Sequence, residues 1–267
     1  MPTFDPAKRG TVEKDVTYAC VDGRELKMDI YYPGSRGPWR GLIFIHGGGW
    51  SEGDKAPLPV IPPGFLAASI NYRLYPEARF PAMIEDVKCA IRSLRAHAAE
   101  YNLDPARIGL VGHSAGAHLA ALAGLADSSA GWDVGLYLDQ SSQVQAVVEM
   151  SGPTDLTCEF PDWVTELKTN VFGLDRLASS SPVTYVRKDA PPFLIVHGDQ
   201  DEAVPVEQAH LLYAALLKTG ARVQKIILRN ANHGLEAVGG KVQPPFKLLI
   251  ARILMFLAWN LSRKINL

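Results

Sequence analysis

Several apolar runs in this chain are too short for helices and too continuous for half-exposed strands. Leu42-Ile43-Phe44-Ile45 and Phe193-Leu194-Ile195-Val196 show no polar alternation. A strand with one wet face alternates; a strand without alternation is covered on both faces, as central parallel strands are. Parallel neighbours need long crossovers, and segments with helical spacing lie between the runs. The pattern predicts an α/β fold, helices flanking a mostly parallel sheet.

Eight strands are expected, at Thr17–Cys20, Lys27–Tyr32, Gly41–Ile45, Phe65–Asn71, Arg107–Gly112, Gln145–Ser151, Phe193–His197 and Gln224–Leu228. Asp22-Gly23 between the first two signals a hairpin. Helices are expected after Pro81, where Ile84, Val87, Ile91 and Leu94 recur at helical spacing, since proline is tolerated in a first turn. Others are expected at Ala117–Ala126, Pro205–Leu217 and Pro244–Leu261. The last contains the longest apolar stretch, interrupted by Arg252 and too short to span a bilayer, and is read as a buried C-terminal helix. Between Ser151 and Ser181 the pattern breaks down, with Pro153, Phe160, Pro161 and Trp163 in a polar setting. Residues 155–180 are read as a small cap segment over a site, because about 30 residues cannot bury a core of their own. The 267 residues allow one domain or two, at about 150 per domain. A single sheet of eight strands favours one domain over residues 1–267.

Lys plus Arg number 27 and Asp plus Glu 28, a net charge of −1. That balance argues against nucleic acid or an anionic membrane as main partner, since both select basic surfaces. Cys20, Cys89 and Cys158 form no zinc spacing and no CxxC pair, and read as small buried hydrophobes. The stretch Met1-Pro2-Thr3-Phe4-Asp5 has no apolar run. The expectation is a cytoplasmic protein, or a secreted or periplasmic one whose leader was removed.

Gly112-His113-Ser114-Ala115-Gly116 fits G-x-S-x-G. Alone the motif is weak, arising by chance in about one in ten chains this long. Its setting adds weight, because Arg107–Val111 reads as a strand and Ala117–Ala121 as a helix, the strand–turn–helix context of a nucleophile elbow. That turn lifts Ser114 out of the sheet, near the positive end of a helix dipole. His46-Gly47-Gly48-Gly49-Trp50 follows another apolar run. Three consecutive glycines cost backbone entropy and suggest close approach of main chain to a ligand. The amides of Gly48, Gly49 and Ala115 are expected to form an oxyanion hole, each such donor typically worth about 2.7–4 kcal/mol. His46 is expected to anchor the loop.

A serine nucleophile needs a base, and the base an orienting acid. Of seven histidines, His233 alone stands in a loop after the last strand, at the sheet edge where Ser114 emerges. His97, His113, His118, His197 and His210 read as structural. In Gly198-Asp199-Gln200-Asp201-Glu202, Asp201 lies further into the loop and is read as the acid, whereas Asp199 is expected to tie down loop amides. The chain order serine, acid, histidine is that of the α/β-hydrolases.

These motifs resemble the α/β-hydrolase superfamily, within it the HGGG-type esterases near hormone-sensitive lipase, and most closely the bacterial feruloyl and acetyl-xylan esterases. The likeness rests on HGGGW at 46–50, Asn71-Tyr72-Arg73-Leu74, Phe80-Pro81-Ala82, Asp86, GHSAG at 112–116, Ser151–Leu156, Ser181–Val186 and Pro191–Pro205. It implies an α/β-hydrolase fold, catalytic Ser114, Asp201 and His233, oxyanion donors Gly48, Gly49 and Ala115, and no metal or organic cofactor. The expected activity is hydrolysis of short-chain acyl esters, small-molecule or oligosaccharide, including acetyl or feruloyl groups on plant polysaccharide. Trp50, Trp163 and Phe160 are candidates for lining the substrate site. One stretch departs: Ala56–Gly64 is too short and proline-rich for the helix such families carry there. The alternatives are an arylformamidase-like amide hydrolase and a non-catalytic ligand-binding relative; the intact triad disfavours the second.

Overall fold

The computed structural model describes residues 4–56 and 61–262. The strands are β1 (Val12–Val21), β2 (Arg24–Tyr31), β3 (Trp39–Ile45), β4 (Phe65–Ile70), β5 (Leu103–His113), β6 (Ala146–Met150), β7 (Phe193–Gly198) and β8 (Val223–Leu228). They form one eight-stranded sheet in the order β1-β2-β4-β3-β5-β6-β7-β8. β1 pairs antiparallel with β2, and β2 antiparallel with β4. Every later pairing is parallel, as the unbroken apolar runs require. Among the described residues, β8 closes the sheet and pairs on one side only, with β7.

The helices are α1 (Ala82–Ala96), α2 (Ala115–Leu125), α3 (Asp162–Phe172), α4 (Glu207–Thr219) and α5 (Phe246–Asn260). Alternate strand residues feed two apolar layers. Ile43, Leu110, Val147, Phe193 and Ile195 pack with α1, α2 and α4. Leu42, Val111, Val148, Leu194 and Val196 pack with Leu249, Ile253, Phe256 and Leu257 of α5. Every residue of α2 is buried, from Ala115 through Leu125. Its alanines and glycines let it lie close beneath the sheet's crossover.

Three expectations change, and one falls partly outside the described residues. The C-terminal helix is only half-buried: Met255 is 70% and Trp259 79% exposed, opposite the face carrying Leu249 and Phe256. A fifth helix, α3, lies inside the stretch read as patternless. Its buried positions are Val164, Lys168, Val171 and Phe172. That spacing is helical, and the lysine at a core position hides it from an apolar count. Of the cysteines only Cys89 is buried, while Cys20 is exposed and Cys158 intermediate. For the proline-rich stretch, residues 57–60 lie outside the described residues. On either side, Ala56 and 61–64 form no helix, and the Phe65 amide bonds to the Pro62 carbonyl at 3.2 Å as the chain enters β4. No helix among the described residues is long and apolar enough to cross a membrane.

Candidate active site

The site forms where β5 ends. Ser114 has φ 55° and ψ −122°, a left-handed conformation that costs a non-glycine residue on the order of 1–3 kcal/mol. Neighbouring backbone holds it there: the Ser114 amide donates to the Met150 carbonyl at 2.8 Å, and its carbonyl accepts from the His118 amide at 3.1 Å. The glycine at 116 is a packing requirement, because a β-carbon there would press into the Ile45 and His46 carbonyls. The serine turn and the glycine loop after β3 are thus in direct backbone contact.

The Ser114 hydroxyl lies 2.8 Å from Nε2 of His233. The other ring nitrogen, Nδ1, donates to Asp201, with distances of 2.8 Å to Oδ2 and 3.0 Å to Oδ1. His233 follows β8 in a loop held by two isolated bridges, Arg229 to Gln243 and Ala231 to Ala237. Gly198, at the end of β7, lets this loop close in; a β-carbon there would meet the backbone at Ala231 and Asn232. His113 supports the His233 loop from below, its Nε2 donating to the His233 carbonyl at 2.9 Å. Burial lowers the His113 pKa, which keeps that imidazole neutral and a single donor.

The Asp201 side chain is fully buried. Burial alone would raise its pKa, but hydrogen bonds from His197, His233 and the Val204 amide hold it far below the usual carboxylate range. Its Oδ1 also accepts from the Ala203 and Val204 amides at 2.9 and 2.8 Å. The loop-tying role expected of Asp199 therefore falls to Asp201, which lies two and three residues before the amides it binds. Asp199 Oδ1 has no hydrogen-bond partner among the described residues.

Ser114, His113 and His233 open onto a cavity of about 270 Å³, also lined by Gly48, Gly49, Ala115, Pro153, Trp163, Leu167 and Val204. Gly48 and Gly49 have φ of 107° and 57°, a region that favours glycine. The Gly48 carbonyl accepts from the Ser51 and Glu52 amides, both at 3.0 Å, which folds the loop into a turn. The Ala115 amide opens α2 and has no helical acceptor. His46 anchors the loop, donating from Nδ1 to the Gly47 carbonyl at 2.6 Å and stacking on Tyr72 at 4.4 Å.

The three aromatic candidates separate. Trp163 is 58% exposed and stands at the cavity rim. Phe160 does not line the cavity; it packs behind the wall with Val164, Ala203 and Val204. Trp50 borders the cavity, yet its indole is buried and donates to His118 Nδ1 at 3.3 Å, edge-on to Phe172. Burial pushes the His118 pKa down to about 4. The neutral ring accepts from Trp50 and donates from Nε2 to the Ser180 carbonyl at 2.8 Å.

α3 roofs the cavity. Leu167 reaches down onto Gly49, leaving no room for a β-carbon there. Lys168 is buried, donating to the Leu156 and Cys158 carbonyls at 2.7 and 2.8 Å with its ammonium 4.4 Å from the Phe160 ring centroid. Below it, Gln208 of α4 accepts from the Thr154 and Asp155 amides, each at 2.7 Å. Sequence reading passed over these roles, because neither Lys168 nor Gln208 belongs to a motif.

A sheet of this order with a serine turn at the end of β5 defines an α/β-hydrolase, and the proteins it is similar to include esterases. Residues 28–216 match the BD-FAE family, and the chain belongs to that family. Esterase LipQ of Mycobacterium tuberculosis is 35% identical over 243 residues, covering 83% of this chain and 57% of LipQ. The chain spans just over half the length of the curated relatives it matches. Among solved structures, a truncated carbohydrate esterase from gut microbiota superposes with a TM-score of 0.81 at 29% identity, covering 97% of this chain and 99% of that one. The butyrate-bound esterase Est2 of Thermogutta terrifontis superposes with a TM-score of 0.70 at 27% identity, covering 94% and 92%.

Proposed function

We propose that this protein is a serine carboxylic-ester hydrolase acting on short-chain acyl esters. The continuous hydrogen-bond line from Ser114 Oγ through His233 to Asp201 carries the reading, because it ends in a cavity. His233 takes the Ser114 proton as Oγ attacks the ester carbonyl. The tetrahedral oxyanion forms against the amides of Gly48, Gly49 and Ala115, which border the same cavity. They act on charge that develops only during reaction, where such donors have the most effect. His233 then protonates the leaving alkoxide and an acyl-serine remains. Water repeats the sequence, giving up a proton to His233 and releasing the acid. Asp201 stays ionised throughout, fixing the imidazole and stabilising its cation. The chemistry uses only groups of this chain.

Three observations favour a small acyl group. The cavity is about 270 Å³, at the small end of ligand pockets. Leu167 closes it over Gly49. The superposable Est2 structure holds butyrate. The alcohol side opens past the exposed Trp163, a surface suited to a sugar ring or an aromatic ester. The gut carbohydrate esterase supports a carbohydrate ester as the natural substrate, and of the two acyl groups expected the small cavity favours acetyl over feruloyl.

A panel of acetate to palmitate p-nitrophenyl esters, with acetylated and feruloylated xylo-oligosaccharides, tests this. Rates should peak at two to four acyl carbons, on the order of tenfold or more above octanoate. A fluorophosphonate adduct should map to Ser114 by peptide mass spectrometry. A maximum at long chains would overturn the acyl assignment, and a folded protein with unlabelled Ser114 the catalytic one.

A further inference from the structure

Behind the triad lies a second set of buried ionisable groups that the mechanism above does not use. His197, at the end of β7, has no exposed surface, and neither does Glu149, near the end of β6. His197 Nε2 lies 3.1 Å from Asp201 Oδ2 and 2.9 Å from the Val204 carbonyl. Asp201 thus receives an imidazole from each side, His233 facing the cavity and His197 facing the core. The register pairs Glu149 with Ile195, and His197 stands two residues further along the same strand. Residues two apart share a sheet face, so Glu149 and His197 are diagonal neighbours on one face. Each carries one unmet polar atom: among the described residues, neither Glu149 Oε2 nor His197 Nδ1 has a hydrogen-bond partner. The other carboxylate oxygen, Glu149 Oε1, accepts from the Gly152 amide at 2.6 Å. A buried carboxylate and a buried imidazole that each lack one partner complement each other in charge.

We propose that His197 is a positioning residue for Asp201, carrying a positive charge sustained by the buried Glu149 carboxylate, and that this second imidazole sets the basicity of His233 from behind the sheet edge. The proposal rests on the triad reading. The groups facing His197 are Asp201 on its own loop, Glu149 on β6, His113 on β5 and, across Asp201, His233 on the loop after β8. Burial opposes charge on His197, but the Asp201 hydrogen bond and the Glu149 carboxylate outweigh it and raise its pKa. Burial also pushes the Glu149 pKa up to about 7, and above that value its carboxylate faces His197. A cation behind Asp201 partly offsets the carboxylate field felt by His233. Its removal stabilises the His233 imidazolium, and the acid limb of kcat/KM moves to higher pH.

Two measurements decide the matter. His197→Gln keeps a donor near the Nε2 position and removes the charge. The acid limb with p-nitrophenyl acetate should move up by about half a pH unit or more, with KM within about twofold. His197→Phe removes donor and charge together, and kcat should fall about tenfold to a hundredfold. Independently of any substrate, ¹⁵N-histidine NMR should show the His197 titration midpoint falling by about one unit or more in Glu149→Gln. A His197→Gln profile that superimposes on wild type, or a His197 midpoint unmoved by Glu149→Gln, would falsify the proposal. If the wild-type protein cleaves no ester, the kinetic arm fails together with the esterase reading, and the NMR arm still decides the charge on His197.

Discussion

The serine turn and the α3 roof face each other across one cavity and are held by different means. The turn is built from backbone: Ser114 bonds to Met150, and Gly116 abuts the carbonyls of Ile45 and His46. The roof is built from side chains: Lys168 on two carbonyls, Gln208 on two amides, and Phe172 wedged among Trp50, Phe80 and His118. A β-carbon at Gly116 has no room against the Ile45 and His46 carbonyls, whereas the side-chain contacts of the roof can be exchanged one at a time. On the proposed function, the difference puts chemistry at the turn and selectivity at the roof.

The sharpest way to break that division is at Ser114. Ser114→Ala should lower kcat by about 10⁶-fold with KM for p-nitrophenyl acetate and the melting temperature little changed, since alanine keeps the same strained backbone at this position. Asp201→Asn should cost about 10⁴-fold in kcat by presenting the wrong partner to His233 Nδ1. Roof variants should act differently. Leu167→Ala opens the space above Gly49, and the ratio of hexanoate to acetate kcat/KM should rise about tenfold or more while acetate turnover stays within about threefold. If acetate turnover collapsed instead, the roof would share in the chemistry.

The smallest effect is expected at Lys168. Lys168→Met removes a buried ammonium and leaves the Leu156 and Cys158 carbonyls unpaired, at about 1–3 kcal/mol. Thermal melts should show a drop of a few degrees with kcat preserved. The pH dependence has a definite sign. Burial lowers the Lys168 pKa, so the unfolded chain binds more protons between the folded and unfolded values. That contribution makes wild type gain stability as pH rises through the window, and the variant lacks it. A wild-type minus variant difference in melting temperature that stays flat from pH 8 to 10.5 would remove Lys168 as a charged staple.

The same contrast explains what could be read before any coordinates. The parallel strands were legible because double-sided burial leaves an unmistakable run such as Phe193–Val196. The serine turn was legible because its conformation demands small residues at fixed positions. Asp201 and His233 were reached by topology, from their place after consecutive strands. α3 was not legible, since Lys168 occupies a core position through its aliphatic stem and two carbonyls. Trp50 and Phe160 were legible as large aromatics near the site, but sequence spacing does not say which way a ring turns, and both turn inward. Nor does it reveal that His197 meets Asp201, because that contact depends on a loop doubling back over four residues. The exposed half of α5, with Met255 and Trp259, was hidden for the converse reason, since an apolar helix reads as buried whichever way it faces.

The placement of His233 beyond β8 bears on durability. β8 is joined to the sheet along one side only, and the loop after it is secured by two bridges. Ser114, by contrast, directly follows β5 in the middle of the sheet. Edge elements open locally at lower free energy than central ones. On warming, His233 should therefore part from Ser114 while the central strands are still assembled, so on the proposed function the temperature at which work stops lies below the temperature at which the fold is lost. On cooling from that interval, full turnover should return without refolding.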